Sequence, residues 1–155
     1  MIEIRDYRPA DWDAIAAAHD AARLQELGYS VGVEAFLTLE QTAEDEGLFD
    51  DRLWVAELDG AVVGFLAYAD GELTWMYVHP AHQGRGVGAA LIERLFAHVE
   101  AEGVDRVELT VLDGNPARRL YERSGFTLVE TKTGGLVGNE SFQATGHVME
   151  RRLRR

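Results

Sequence analysis

Three glycines in five positions, Gly84, Gly86 and Gly88, precede a leucine-rich run in the stretch HPAHQGRGVGAALIERL, residues 79–95. Glycine lets the main chain turn sharply and approach a ligand closely, and a helix N-terminus offers unpaired N–H groups at the positive end of a dipole. The chemistry that suits this pattern is the holding of a phosphate, with a pyrophosphate cradled at Gly84, Gly86 and Gly88. A tight strand-to-helix turn that binds nothing is the plainer alternative, and the entropy that so many glycines lose on folding weighs against it. The spacing also matches Gly-x-Gly-x-x-Gly/Ala with Ala89 last, but five residues, HPAHQ, separate Val78 from Gly84, where a dinucleotide-binding fold closes its strand almost at once. No Gly-Lys-Ser/Thr follows, which argues against a nucleoside triphosphate loop. With no cysteine in the chain there is no disulfide, thiolate nucleophile or thiolate metal site.

The elements that must hold this loop show in the periodicity. Residues 2–8, IEIRDYR, alternate apolar and polar and predict a half-buried strand. Pro9 and Asp11 then open a helix over 11–27, with Trp12, Ile15, Ala18 or His19, and Ala22 at helical spacing and Gly28 as its stop. A second helix is expected over 33–46, followed by an acid-rich turn. RLWVAEL (52–58) and AVVGFLAYA (61–69) flank Asp59-Gly60, a dipeptide suited to a tight hairpin, and Asp70-Gly71 leads likewise into ELTWMYV (72–78). After the glycine loop, a helix from Gly88 closed by Gly103 precedes the β-branched strand RVELTVL (106–112). NPARRLYERSG reads as a helix with Asn115 as N-cap, Pro116 in first place and Gly125 as stop. FTLVET and a strand within SFQATGHVMERRL finish the chain, joined by the glycine-rich GGLVGN. This order predicts a mixed sheet, antiparallel at its start, with one βαβ crossover at the glycine loop and helices on both faces.

A length of 155 residues fits one domain over 1–155, and the 46% hydrophobic and 27% charged content is that of a globular protein. A formal net charge of −12 repels nucleic acid and favours a cationic partner. The basic terminal RRLRR is expected to fray or to lie on the protein's own acidic surface. No stretch reaches the roughly 18 apolar residues of a membrane span and the start lacks a signal peptide's pattern, so a soluble, cytoplasmic protein is expected.

Val78, Pro80, Gln83, Gly86 and Gly88 stand in register with the Gln/Arg-x-x-Gly-x-Gly/Ala signature that follows a strand ending in Val-x-Pro. Here the chain resembles the Gcn5-related N-acetyltransferases. NPARRLYERSGF, residues 115–126, looks like that family's second landmark, an Asn, then Leu-Tyr, then Gly-Phe, and the element order is similar along nearly the whole chain. The resemblance implies an α/β (α+β) architecture: a mixed, mostly antiparallel central sheet with helices on both faces, the acyl-CoA N-acyltransferase-like fold. It implies acetyl-CoA as cosubstrate, no metal, and transfer of the acetyl group to a primary amine of a small molecule, protein or peptide. The coenzyme pyrophosphate would lie on Gly84, Arg85, Gly86, Val87, Gly88 and Ala89, beside Gln83, with the pantetheine arm along Met76, Tyr77 and Val78 as an added strand. Asn115 would meet the pantetheine region, although it precedes Tyr121 by six residues where many relatives have seven, and Gly114 holds the other position. Its cofactor role and its N-cap role are both open.

Acetyl transfer to an amine requires a neutral amine, stabilisation of an oxyanion and a proton for the departing thiolate. Tyr121 resembles the family's general acid; its phenol is protonated at neutral pH. Glu72, six residues before Val78, matches the base of some histone-acetylating relatives, and strand parity places it on one face with Thr74 and Met76. Relatives acting on ribosomal-protein N-termini use a glutamate on the next strand, where this chain has Thr110, which cannot serve as that base. His79 and His82 read as loop residues beside the cofactor, and the Val78 N–H as the oxyanion donor where the sheet splays. Tyr29, Phe36 and Phe142 are candidates to line the acceptor pocket, and Glu26, Glu34 and Glu140 to attract a cationic amine. A homodimer through the final strands is common in the family. Two rival readings are a non-catalytic acyl-CoA sensor and a dinucleotide-dependent oxidoreductase.

Overall fold

The central strands RLWVAEL and AVVGFLAYA are near-continuous apolar runs, which bury both faces only if helices cover each side, and here they do. The computed structural model describes residues 1–137 and 139–153. Its strands are β1 (Ile2–Asp6), β2 (Arg52–Leu58), β3 (Ala61–Ala69), β4 (Glu72–Val78), β5 (Arg106–Leu112), β6 (Thr127–Leu136) and β7 (Asn139–Arg152). They form one sheet in the order β1-β2-β3-β4-β5-β7-β6, antiparallel throughout except at β4–β5. The helices are α1 (Trp12–Gly28), α2 (Leu39–Thr42), α3 (Val87–Ala101) and α4 (Ala117–Arg123).

On one face, Leu91, Leu95 and Val99 of α3 and Tyr121 of α4 pack against Trp54, Leu66 and Val107. On the other, Ile15 of α1 with Leu39, Ala43 and Leu48 covers Val55, Phe65 and Ala67. Successive residues of β2, Trp54 and Val55, thus enter opposite cores, as a period of two demands. Both hairpin turns carry positive φ where the Asp-Gly pairs promise it, 52° at Asp59 and 48° at Asp70.

Several elements depart from the sequence expectations. β1 ends at Asp6, because the Arg8 N–H bonds to the Asp11 carboxylate and a short turn of 3-10 helix begins at Pro9. The helix expected over 33–46 is two short pieces, a 3-10 turn at Val33–Ala35 and α2. Phe36 is extended, and Thr38 starts α2 afresh as the N-cap of a capping box with Gln41, which a continuous helix would forfeit. Gly28 ends inside α1; the reversal comes at Gly32, whose N–H bonds to the Leu27 carbonyl at 2.8 Å. α4 begins at Ala117 with Pro116 at the N-cap, yet Asn115 does the capping, its Oδ1 accepting from the Ala117 N–H at 2.9 Å. β6 runs through Gly134 and Gly135, so the expected glycine-rich link is mostly strand. Gly138 within that link, and Arg154 and Arg155 of the basic terminus, lie outside the described residues.

Two irregularities shape the middle of the sheet. β4 and β5 pair at one position, Glu72 with Glu108, and separate beyond it. A β-bulge in β4, where the β3 register jumps between Ala67 and Tyr68, leaves Thr74 as the extra residue.

Candidate active site

The separation of β4 from β5 opens a cleft of about 570 Å³. Main-chain groups of a strand point alternately to either side, and the His79 N–H bonds to the Val63 carbonyl in the β3 direction at 2.8 Å. The Met76 and Val78 amides therefore face away from β3, into the gap. The Val78 carbonyl is taken by Gln83, whose Nε2 donates to it at 3.1 Å and folds the loop back onto the strand. Met76, Tyr77, Val78, Gln83, Gly84, Gly86, Val87, Gly88, Ala89, Asn115 and Tyr121 all line this cleft; Arg85 is exposed and does not.

The loop glycines have separate causes. Gly86 sits at the N-cap of α3 with φ 85°, a conformation side chains avoid. Gly88 makes room for α4: a Cβ there would come within 2.7 Å of Leu120 Cδ2. No amide from Gly84 to Ala89 donates to a main-chain carbonyl of the described residues, and a Cβ on Gly84 would meet nothing within 4 Å. These free donors at a helix start, beside open space, fit a diphosphate. His79 is tied into the adjoining turn, its Nδ1 accepting from the Ala81 N–H.

Tyr121 is 7% exposed. Its hydroxyl has no hydrogen-bond partner among the described residues and is not among the sealed, unpartnered atoms, so it opens into the cleft. Burial first, then the charge of Glu26, pushes its pKa well above the usual phenol value, and the proton stays on at neutral pH.

Glu72 lines a second cleft, of about 500 Å³, on the α1 side of the sheet. Desolvation, then the charges of Glu108 and Asp51, raise its carboxyl pKa. The expected common face of Glu72, Thr74 and Met76 does not exist. Leu73 packs with the α3-side core and Trp75 with the α1-side core, although two residues apart, because the bulge at Thr74 inverts the parity of the strand. Met76 consequently lies on the α3 side.

The two clefts share a wall of Glu26, Leu73, Thr74, Trp75, Tyr77 and Thr110. Glu26 is its hub, accepting from Arg23 at 2.5 Å, Asn115 Nδ2 at 2.7 Å and the Tyr77 hydroxyl at 3.1 Å. Sequence reasoning offered Glu26 as an acid to attract a cationic amine, but not as the centre of a hydrogen-bond network. The signal was a carboxylate continuing the apolar stripe of Ala18 and Ala22 at four-residue spacing. The Tyr77 side chain was missed too; its ring stands edge-on to His19 at 4.7 Å between centroids. The aromatic candidates for the acceptor pocket do not line the second cleft. Phe36 and Phe142 pack in a small core with Leu27 and Leu136, and Tyr29, 57% exposed, borders the first cleft. Glu34 and Glu140 are exposed and border neither cleft.

A splayed parallel pair with a glycine-amide cradle at its mouth is the architecture of acyl-CoA N-acyltransferase-like folds. The profile of the acetyltransferase (GNAT) domain matches residues 49–128, and the chain belongs to that family. It is 43% identical over 104 residues to the mycothiol acetyltransferase of Beutenbergia cavernae, an alignment covering 60% of this chain and 35% of that longer protein. The GCN5-related N-acetyltransferase of Rhodopseudomonas palustris superposes with a TM-score of 0.81 at 24% identity, covering 97% of this chain and 95% of that one. yncA of Salmonella typhimurium, solved with its cofactor acetyl-CoA, superposes at 0.73 with 25% identity, covering 100% and 95%.

Proposed function

We propose that residues 1–155 act as one domain that transfers the acetyl group of acetyl-CoA to a primary amine by direct attack through a tetrahedral intermediate. The observation that carries this reading is the cleft between β4 and β5, which ends at the unbonded amides of residues 84–89. Bound there, the cosubstrate would supply an acetyl thioester. Gly84 to Ala89 would hold its pyrophosphate. The Met76 and Val78 amides would pair with its pantetheine arm, and the Val78 N–H would meet the developing oxyanion. Asn115, already bonded to Ala117 and Glu26, keeps one N–H for the same arm. Tyr121 would protonate the departing thiolate. Glu72 would receive, through water, the proton that the amine loses.

The second cleft is the place for the acceptor. Its carboxylates Glu26, Glu46 and Glu72, within a chain of net charge −12, support a cationic amine rather than nucleic acid. The likeness to a mycothiol acetyltransferase supports a small-molecule acceptor. A cytoplasmic setting fits: no described helix is long and apolar enough to cross a membrane. Leu128 and Val129, 48% and 51% exposed on the edge strand β6, support pairing of two copies there.

A thermal-shift panel of CoA, acetyl-CoA, NAD and ATP tests the donor. At about 100 times Kd the true ligand should add roughly 2.7 kcal/mol. Thiol release with acetyl-CoA and L-lysine, putrescine or a short peptide with a free N-terminus tests transfer. Stabilisation by NAD alone would overturn the reading, and CoA binding with no thiol release from any amine would leave a sensor.

A further inference from the structure

His19 is a charged-capable side chain that this acetyl-transfer mechanism leaves unused. It is 3% exposed, on the face of α1 that covers the sheet, and lines the acceptor-side cleft. Its Nδ1 lies 2.9 Å from Asp20 Oδ1. That carboxylate oxygen is itself fixed by the Leu39 N–H, also at 2.9 Å. A carboxylate can only accept, so Nδ1 carries the hydrogen and Nε2 the lone pair. Nε2 has no partner among the described residues, and it is absent from the sealed, unpartnered atoms, which are Trp54 Nε1, His82 Nδ1 and Glu150 Oε2. It therefore opens into the cleft. The imidazole ring rests against Tyr77 and Trp75, residues of the wall shared with the coenzyme-side cleft.

We propose that His19, oriented by Asp20, is a catalytic base of the acetyl transfer and takes the acceptor amine's proton on Nε2. This rests on the acetyl-transfer reading and adds a residue to it. The amine nitrogen forms a bond to the thioester carbon, and its N–H becomes strongly acidic. Nε2 takes that proton, the carbon–sulfur bond breaks, and Tyr121 protonates the sulfur. His19 precedes Glu72 in the proton path, Glu72 being exposed at the start of β4 and lining the same cleft. Asp20 is the positioning residue, holding the tautomer as the carboxylate of a catalytic triad does.

Several charges face the imidazole. Asp20 and Glu26 on α1 favour its charged form; Arg23 on α1 and, most strongly, burial oppose it. From β4, Tyr77 keeps its proton, and Glu72, Glu46 and Lys132 border the same cleft. The net direction is a pKa below the usual 6.5, so the base is free at neutral pH and is lost to protonation only in more acidic solution.

The pH profile of kcat for His19→Gln and Asp20→Asn, with acetyl-CoA and whichever of L-lysine, putrescine and the short peptide turns over fastest, tests this. His19→Gln should lower kcat by about 10²-fold or more, leave the KM for acetyl-CoA within about twofold, and abolish the acidic limb below pH ~6.5. Added imidazole should restore part of the loss. Asp20→Asn should lower kcat and displace the limb. A retained wild-type limb in His19→Gln, or a loss that imidazole leaves untouched, would overturn the proposal. Nitrogen-15 shifts of His19 in the unmodified protein give a reading that no folding defect disturbs: protonated Nδ1 and bare Nε2 are expected, and the opposite tautomer would overturn it. No thiol release from the unmodified protein would instead sink the transfer reading itself.

Discussion

The Tyr121 hydroxyl is held protonated by burial and by the nearby Glu26 charge, so at neutral pH it carries the proton that the proposed transfer asks it to give to the departing thiolate. Tyr121→Phe keeps the ring and its place against Phe126, so stabilisation by CoA should persist while kcat falls about 10²-fold or more. Unchanged turnover would remove Tyr121 from the mechanism. Glu72→Gln should lower turnover with little change in coenzyme affinity and move the basic demand of the pH profile upward, as the proton path then ends without a carboxylate to receive it. Tyr121 was legible because it lies in a short local motif. The hub position of Glu26 and the role proposed for His19 were not, because they depend on where α1 packs across β3 and β4, and nothing local to α1 encodes that.

At the level of elements, Gly114 shows how closely two of them approach. Its φ is 88°, and a Cβ on it would lie 2.2 Å from the Tyr29 carbonyl oxygen at the end of α1. The loop before α4 is thereby pressed onto α1, which lets Asn115 reach Glu26. Gly114→Ala should cost roughly 1–3 kcal/mol and weaken CoA binding as the Asn115 loop shifts, read as a fall in Tm and in the CoA-induced increment. In the sequence Gly114 was only the residue standing where many relatives have asparagine. The strand bounds of both hairpins were readable to the residue, since an Asp-Gly turn fixes where each strand ends. The bulge at Thr74 was not, because its cause is pairing with β3, and it reversed the face assigned to Met76. The piece over 33–46 was misjudged because Thr38 is as good a helix start as an interior position.

For the whole molecule, the acidic composition makes the response to pH a matter of a few well-placed carboxylates. Arg5 reaches Asp11 with two bonds of 2.8 Å and also binds Glu57, tying β1, β2 and the start of α1 together. The Arg5 hydrogen bonds hold the Asp11 carboxyl below its usual range. A carboxylate depressed in the folded state stabilises above its unfolded pKa, about 3.9, and loses that contribution as pH falls through the lower folded value. Asp11→Asn should therefore destabilise by about 1–3 kcal/mol at pH 7, and its Tm should converge with that of the unmodified protein in acid. A gap independent of pH would show that packing, rather than charge, is at stake. Charge sign was plain from composition, whereas which acids pair is a property of the folded chain.

The single rung joining β4 to β5 has one more consequence. Past Glu72 and Glu108 two strand margins stand with unspent hydrogen-bonding groups in the middle of a sheet. Such margins recruit stray chains unless something lies against them. A resident coenzyme would be a guardian as well as a reagent, and stripping it away should leave preparations that clump on storage.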